Sequence, residues 1–391
     1  MDISPLATPF PELPDVGGCT RGTATAGYKA WTRADVTLLA FAPGTTVAGV
    51  TTRSKCPSPE VELCRRHLPG GLARGLVVNA GNSNAFTGRL GAEACALQVA
   101  EAARLLGCAP GEVFAASTGV IGVPLPAEKA RAGVRAAHAA LGAASWLDVT
   151  RAIGTTDTFP KAAVREAVLG ETRVRLVGFI KGSGMIAPDM ATMLGFIVTD
   201  AAVAAPLLQD MLAAANRETF SCITVDGDTS TSDTVLAFAT GAAGNAPLIG
   251  PDSPGAGALA AALSDLCRAL AQLVVRDGEG ASRFVEIRVS GAVSDASAHR
   301  VALSIANSPL VKTAIAGGDA NWGRVVMAVG KAGEPAERDL LSIRFGGIEV
   351  AAGGMVVAGY DEAPVAAHLA GQEIDIAVDL GLGDGRATVW T

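Results

Sequence analysis

The sequence predicts a soluble fold of mixed α/β or α+β type, and three observations carry that reading. Hydrophobic residues make up 49% of the chain and aromatics only 4%, with 47 glycines. Such a composition packs small aliphatic side chains tightly and is far from that of a disordered chain. Apolar runs of strand length alternate with stretches of helical three-and-four spacing as far as Arg276. From Phe284 onward the pattern changes to short alternating strands with Gly-rich turns. A boundary at residues 281–283 follows, between a domain of residues 1–282 and a smaller one of residues 283–391. A chain of 391 residues has room for two or three domains and a large core.

In order along the chain, residues 1–40 carry clusters of Gly, Pro and Thr before a strand at 36–42. Residues 76–79 read as a buried strand that runs into NAGNSNA (79–85), a polar turn too rich in Asn for the core. Residues 93–106 are helical, with Gly107 as the stop. A short strand at 113–116 ends in STGVIG (117–122), a helix follows at 127–141, and TTDTFPK (155–161) is a polar loop. Strands at 174–180 and 195–199 flank KGSGMIAPDMATML (181–194). A helix at 201–217 precedes strands at 222–225 and 235–239, which enclose the turn 226–233. The apolar helix at 259–276 ends at the glycines of DGEG (277–280). Strands at 285–289, 342–345 and 374–379 belong to the C-terminal part. No internal repeat or low-complexity linker interrupts this order.

Charge and termini narrow the function. A net charge of −7 and the lack of long Lys/Arg runs argue against a nucleic-acid binder. The N-terminal MDISPLATPF has neither a basic region nor an apolar core, so no signal peptide is expected. Gly and Pro break the apolar runs, so no membrane-spanning helix is expected either. Seven cysteines, an odd number without a C-x-x-C pair, read as reduced thiols of a cytoplasmic protein.

The segment 181–194 is the richest in chemistry. A threonine hydroxyl is a poor nucleophile without a base beside it. Cutting the chain before Thr192 would supply that base as the new α-amine. Its reference pKa of about 7.7–8.0 suits proton transfer near working pH. Ala191, Gly182 and Gly184 leave room for a tight backbone. Gly182, Gly184 and Ala187 also fit a dinucleotide-binding spacing. A parallel crossover there needs about ten or more residues, and only 188–194 remain before the next strand.

Other stretches admit plain readings beside functional ones. Thr118 and Gly119 close a strand, where a hydroxyl and a backbone N–H would hold an oxyanion; an ordinary strand-end turn explains them too. Asp226, Asp228 and Ser230 open like a calcium loop, but Thr231 and Ala237 stand where Gly and Glu are needed. A hydrogen-bonded turn next to the site fits better, and no metal is expected. Glu279, between glycines at a helix end, is a solvated residue or a carboxylate aimed at a substrate amine. Asp319, Asn321, Trp322 and Arg324 are explained as well by packing. His67, His138, His299 and His368 match no triad or metal spacing.

Taken together, NAGNSNAFTG (79–88), STGVIG, TTDTFPK, KGSGMIAPDMATML, ITVDGDTSTSDT (223–234), RDGEGAS (276–282) and KTAIAGGDANWGRVVMAVGKAGEP (312–335) resemble the ornithine acetyltransferase family. Its members are also called bifunctional arginine biosynthesis glutamate N-acetyltransferases. The segments span nearly the whole chain, and several are long. The resemblance implies a layered αββα sandwich with a smaller C-terminal domain. It implies self-cleavage between Ala191 and Thr192, giving an α-chain of residues 1–191 and a β-chain of residues 192–391. Thr192 is the implied nucleophile, and Thr118 with Gly119 the implied oxyanion hole. Lys181, Thr192, Glu279 and Thr155, or its neighbour Thr156, are the implied substrate contacts. The implied reaction moves acetyl from N2-acetylornithine to glutamate without metal or cofactor, acetyl-CoA being a further donor in some members. The implied assembly is a heterotetramer of two α and two β chains.

Two departures accompany the resemblance. Asp189 stands where the family commonly has Asn. The family continues beyond the position of Thr391 with a strand and tail that bring an Asn and a terminal hydroxyl to the substrate. The expectation for the sequence as written is therefore normal maturation with weak acetyl transfer. Two alternatives belong to other classes: a self-cleaving amidase or aminopeptidase of related fold, and a non-catalytic paralogue without the substrate-binding tail.

Overall fold

In a computed structural model of the chain, residues 2–187 and 193–391 are described. They form two compact units, one of residues 8–221 and 228–274, the other of residues 2–7, 222–227 and 275–391. The second unit thus begins at Val275, ahead of the boundary expected at 281–283.

The first unit runs β1 (Cys19–Ala24), β2 (Val36–Phe41), β3 (Thr46–Thr51), α1 (Pro59–His67), β4 (Gly75–Asn82), α2 (Gly88–Leu106), β5 (Val113–Val120), α3 (Ala127–Ala139), α4 (Trp146–Ile153), β6 (Lys161–Leu169), β7 (Thr172–Lys181), β8 (Leu194–Thr199), α5 (Ala205–Glu218), β9 (Thr234–Ala239) and α6 (Ala256–Arg276). β1-β2-β4-β5 make one sheet and β3-β9-β8-β7-β6 the other. Alternation along each strand gives each sheet two apolar faces. Leu39, Leu76 and Phe114 of the first sheet meet Phe179, Phe196 and Phe238 of the second in one buried cluster. The outer face of the first sheet, through Leu38, Val77 and Ala115, packs on Val99 and Ala103 of α2 and Val134 and Ala137 of α3. On the second sheet, β3 packs against α5. Gly178 of β7 admits α6 so closely that a Cβ there would lie 2.6 Å from Leu270. The layers are therefore helix, sheet, sheet, helix.

Helix α6 is long and apolar enough to cross a membrane by length and composition, contrary to expectation. Its Leu259, Leu263, Leu266, Leu270 and Val274 recur at helical spacing and are all buried, as the stripe of a core helix would be.

The second unit carries β10 (Phe284–Ala292), α7 (Asp295–Ala306), α8 (Pro309–Gly317), α9 (Trp322–Gly330), β11 (Ser342–Phe345), β12 (Ile348–Ala352), β13 (Met355–Val356), α10 (Glu362–Leu369), β14 (Glu373–Asp379) and β15 (Gly385–Trp390). Its strands form one sheet in the order β13-β12-β11-β14-β10-β15, with α7 packed on β10 and β15.

Two sequence expectations fail. Residues 222–225 are not a strand: a 3-10 turn covers Phe220–Cys222, and Ile223 makes only an isolated bridge to Trp390. Nor is 79–85 a solvated turn, because β4 extends to Asn82, and Asn79, Asn82, Ser83 and Asn84 are all buried. Paired amides make that burial tolerable. Asn79 Nδ2 donates to the Asn82 carbonyl at 2.9 Å, and Ser117 Oγ to Asn79 Oδ1 at 2.7 Å. Asn84 Nδ2 donates to Glu60 Oε1 and to the Gly91 carbonyl, both at 2.9 Å.

Candidate active site

The register of the five-stranded sheet sets up the site. Thr51 pairs with Thr234, Thr234 with Leu194, Leu194 with Lys181, and Ile180 with Lys161. All five strands therefore begin or end at the same edge. One position further on, the Thr234 N–H donates to the Met193 carbonyl at 3.0 Å and the Thr52 N–H to the Asp233 carbonyl at 2.9 Å. Ala191 and Thr192, the expected scissile pair, lie outside the described residues, as does Asp189. Their flanks are fixed: Thr229 Oγ1 donates to the Ala187 carbonyl at 2.8 Å, so the turn beginning at Asp226 does border this segment.

Lys181, at the end of β7, is buried and reaches the other sheet. Its Nζ donates to Thr118 Oγ1 at 2.9 Å. That bond uses a lone pair of the hydroxyl and leaves its proton to point elsewhere. Gly119 has φ +133°, and a Cβ there would lie 2.4 Å from the Gly81 carbonyl carbon. Glycine is required because the two parallel strands close up where their register shifts at Asn82.

Asp157 ties the surrounding pieces together and was missed from sequence. Its Oδ1 accepts from Lys161 Nζ at 2.5 Å and from the Gly182 N–H at 2.8 Å. Its Oδ2 accepts from the Thr155 N–H at 2.9 Å. Burial opposes its charge, but Lys161 and Lys181 outweigh burial and hold its carboxyl well below the usual carboxylate range. Lys161, the first residue of β6, has a side chain without solvent exposure, and without Asp157 its charge would be prohibitively costly there. The D-x-x-x-K spacing inside TTDTFPK was the available signal. Arg33 straps the start of the loop, donating to the carbonyls of Arg151 and Gly154 at 2.9 and 2.5 Å. Thr155 is partly buried and Thr156 exposed.

Asp233 is the second group missed. It sits just before β9 and is 1% exposed. Burial pushes its carboxyl well above the usual range, against the opposing effect of Lys181, the Met193 amide and the hydroxyls of Ser230 and Thr52. These neighbours stand near, yet neither carboxylate oxygen completes a hydrogen bond among the described residues.

Glu279 belongs to the second unit. It is exposed, followed by Gly280 at φ +77°, and lines a cavity of about 210 Å³ with Lys312, Val311, Ile315 and Thr391. Lys312 Nζ donates to Thr391 Oγ1. Among the described residues no group of three or more His, Cys, Asp or Glu is placed to hold a metal.

Comparisons with known proteins follow the same lines. The family model described as "ArgJ family" matches residues 20–391. The chain is 64% identical to the arginine biosynthesis bifunctional protein ArgJ of Zymomonas mobilis, over all of this chain and 95% of that protein. It is 54% identical to the protein of the same name from Gluconobacter oxydans, over all of this chain and 92% of that one. A crystal structure of the arginine biosynthesis bifunctional protein from Bacillus halodurans is 41% identical, with a TM-score of 0.49, over 51% of this chain and 93% of that one.

Proposed function

Because the chain belongs to the ArgJ family, we propose that it transfers an acetyl group from N2-acetylornithine to glutamate in arginine biosynthesis, through an acetyl ester on Thr192. The chain cuts itself between Ala191 and Thr192, and the Thr192 α-amine becomes the base. In the first half-reaction Thr192 Oγ attacks the acetyl carbonyl and gives its proton to the α-amine, which passes it to the leaving nitrogen of ornithine. In the second, the glutamate amine takes the acetyl from Thr192, and the hydroxyl is restored. The acetyl passes from amide to ester to amide, so the route needs neither metal nor redox cofactor. Acetyl-CoA is the further donor to be tried.

The observation that carries the chemistry is the hydrogen bond from Lys181 Nζ to Thr118 Oγ1. It directs the Thr118 proton outward, as an oxyanion donor requires, and Gly119 supplies the second donor from its backbone. Lys181, Thr155 and Glu279 contact the amino-acid substrate, the two charged groups by charge-assisted bonds. The mature enzyme is a cytoplasmic heterotetramer of two α and two β chains.

Thr192→Ala removes the hydroxyl and leaves one uncut chain by intact mass, whereas the wild type gives two. Product analysis with and without glutamate separates transfer from hydrolysis. Acetate released at the same rate in both assays would favour an amidase.

A further inference from the structure

The mature enzyme has a base for Thr192, but the uncut chain does not. Before cleavage the Thr192 nitrogen is an amide and cannot accept a proton at working pH, so the hydroxyl that must attack Ala191 needs another acceptor. This question arises only on the self-cleavage reading above, and the inference rests on that reading.

Asp233 fits the role by position and by what its side chain lacks. It lies beside Met193, the residue bonded to Thr192: the Thr234 N–H holds the Met193 carbonyl at 3.0 Å, and the Met193 amide is among the polar neighbours of the Asp233 carboxylate. The backbone is pinned from the other side by the Thr52 N–H at 2.9 Å. The side chain is buried, and both carboxylate oxygens lack a hydrogen-bond partner among the described residues. The contrast with Asp35 is direct. That buried aspartate accepts from the N–H groups of Ala26, Gly27 and Tyr28 at 2.6–2.9 Å. A buried carboxylate left without such donors is costly to keep, and it retains the lone pairs that a proton acceptor uses.

We propose that Asp233 is the proton acceptor that starts maturation of the uncut chain. Its carboxylate takes the proton of Thr192 Oγ as that oxygen bonds to the Ala191 carbonyl carbon. The C–N bond between Ala191 and Thr192 then breaks, and the carboxylic acid of Asp233 returns the proton to the departing nitrogen, which becomes the α-amine. Water opens the resulting ester, giving the Ala191 carboxylate and restoring the Thr192 hydroxyl. The raised affinity of Asp233 for a proton suits a group that must take one up and give it back.

The test is the rate at which freshly made precursor splits, followed by intact mass. Asp233→Asn keeps the shape and removes the basicity. It is expected to slow splitting by about 100-fold or more while melting and circular dichroism stay those of a folded chain. Asp233→Ala is expected to split faster on addition of formate, a carboxylate small enough for the vacated space, and not on addition of chloride. A folded Asp233→Asn chain that splits within about threefold of the wild-type rate overturns the proposal, as does a folded Asp233→Ala chain indifferent to formate. A wild-type chain that never splits overturns the self-cleavage reading itself, which is a separate result.

Discussion

At the scale of single residues, the site is built on charges that only make sense together. Asp157 accepts from Lys161, Gly182 and Thr155. Asp157→Asn leaves the buried Lys161 ammonium without its counter-ion, and removing one partner of a buried pair typically costs about 3–5 kcal/mol. The melting temperature is expected to fall. Adding Lys161→Met is expected to recover most of that stability, because the unpaired charge is gone. Activity is not expected to return with it, since the Gly182 and Thr155 amides still lose their carboxylate acceptor. A double variant as active as the wild type would show that Asp157 serves stability only. Thr118→Ala is expected to lower kcat by roughly 10²–10³ with little change in KM, as loss of an oxyanion donor does. A change confined to KM would move Thr118 from the oxyanion to ground-state binding.

At the scale of elements, α2 and α3 are joined over the first sheet by Glu101. It accepts from Arg104 and Arg135, both at 2.7 Å, with Arg131 at 3.5 Å. Hydrogen bonds from Arg135 and then Arg104 hold its carboxyl down to about 2, against the opposing effect of burial. A depressed carboxyl stabilises the fold fully above its unfolded value, and that contribution is lost as pH falls through the folded value. Glu101→Gln is thus expected to lower the melting temperature at pH 7, with the gap to wild type narrowing below about pH 4.3 and closing near pH 2. A gap that stays constant across that range would mean the arginines contribute through packing alone.

The elements also show what the sequence could reveal. Long apolar runs and helical stripes located β2, β7, β8, β9 and α6 to within a few residues, because burial on both faces leaves an unbroken apolar signature. The strands β1 and β6 escaped notice because half of their residues face outward or carry charge, as Arg21, Arg165 and Glu166 do. The Asn-rich stretch misled for a physical reason. Composition marks Asn as a turn former, while only tertiary contacts reveal that each buried amide finds a partner. For the site, Lys181 and Thr118 could be named from motifs, but their 2.9 Å contact joins strands from two sheets and has no local signal. Asp157 and Asp233 stood inside motifs already noticed. What distinguishes one carboxylate with three donors from another with none is packing, not spacing.

At the scale of the whole molecule, the account makes one covalent claim: an acetyl group rests on Thr192 between two half-reactions. Such a scheme obeys parallel initial-rate lines when both substrates are varied. It also leaves a trace that mass can read. The most direct measurement is the intact mass of the separated chains after N2-acetylornithine is given without glutamate. The expected result is a β-chain heavier by one acetyl group, with the mark removed when glutamate is added and absent from the α-chain. A β-chain of unchanged mass, together with intersecting initial-rate lines, would contradict the acetyl-threonine intermediate.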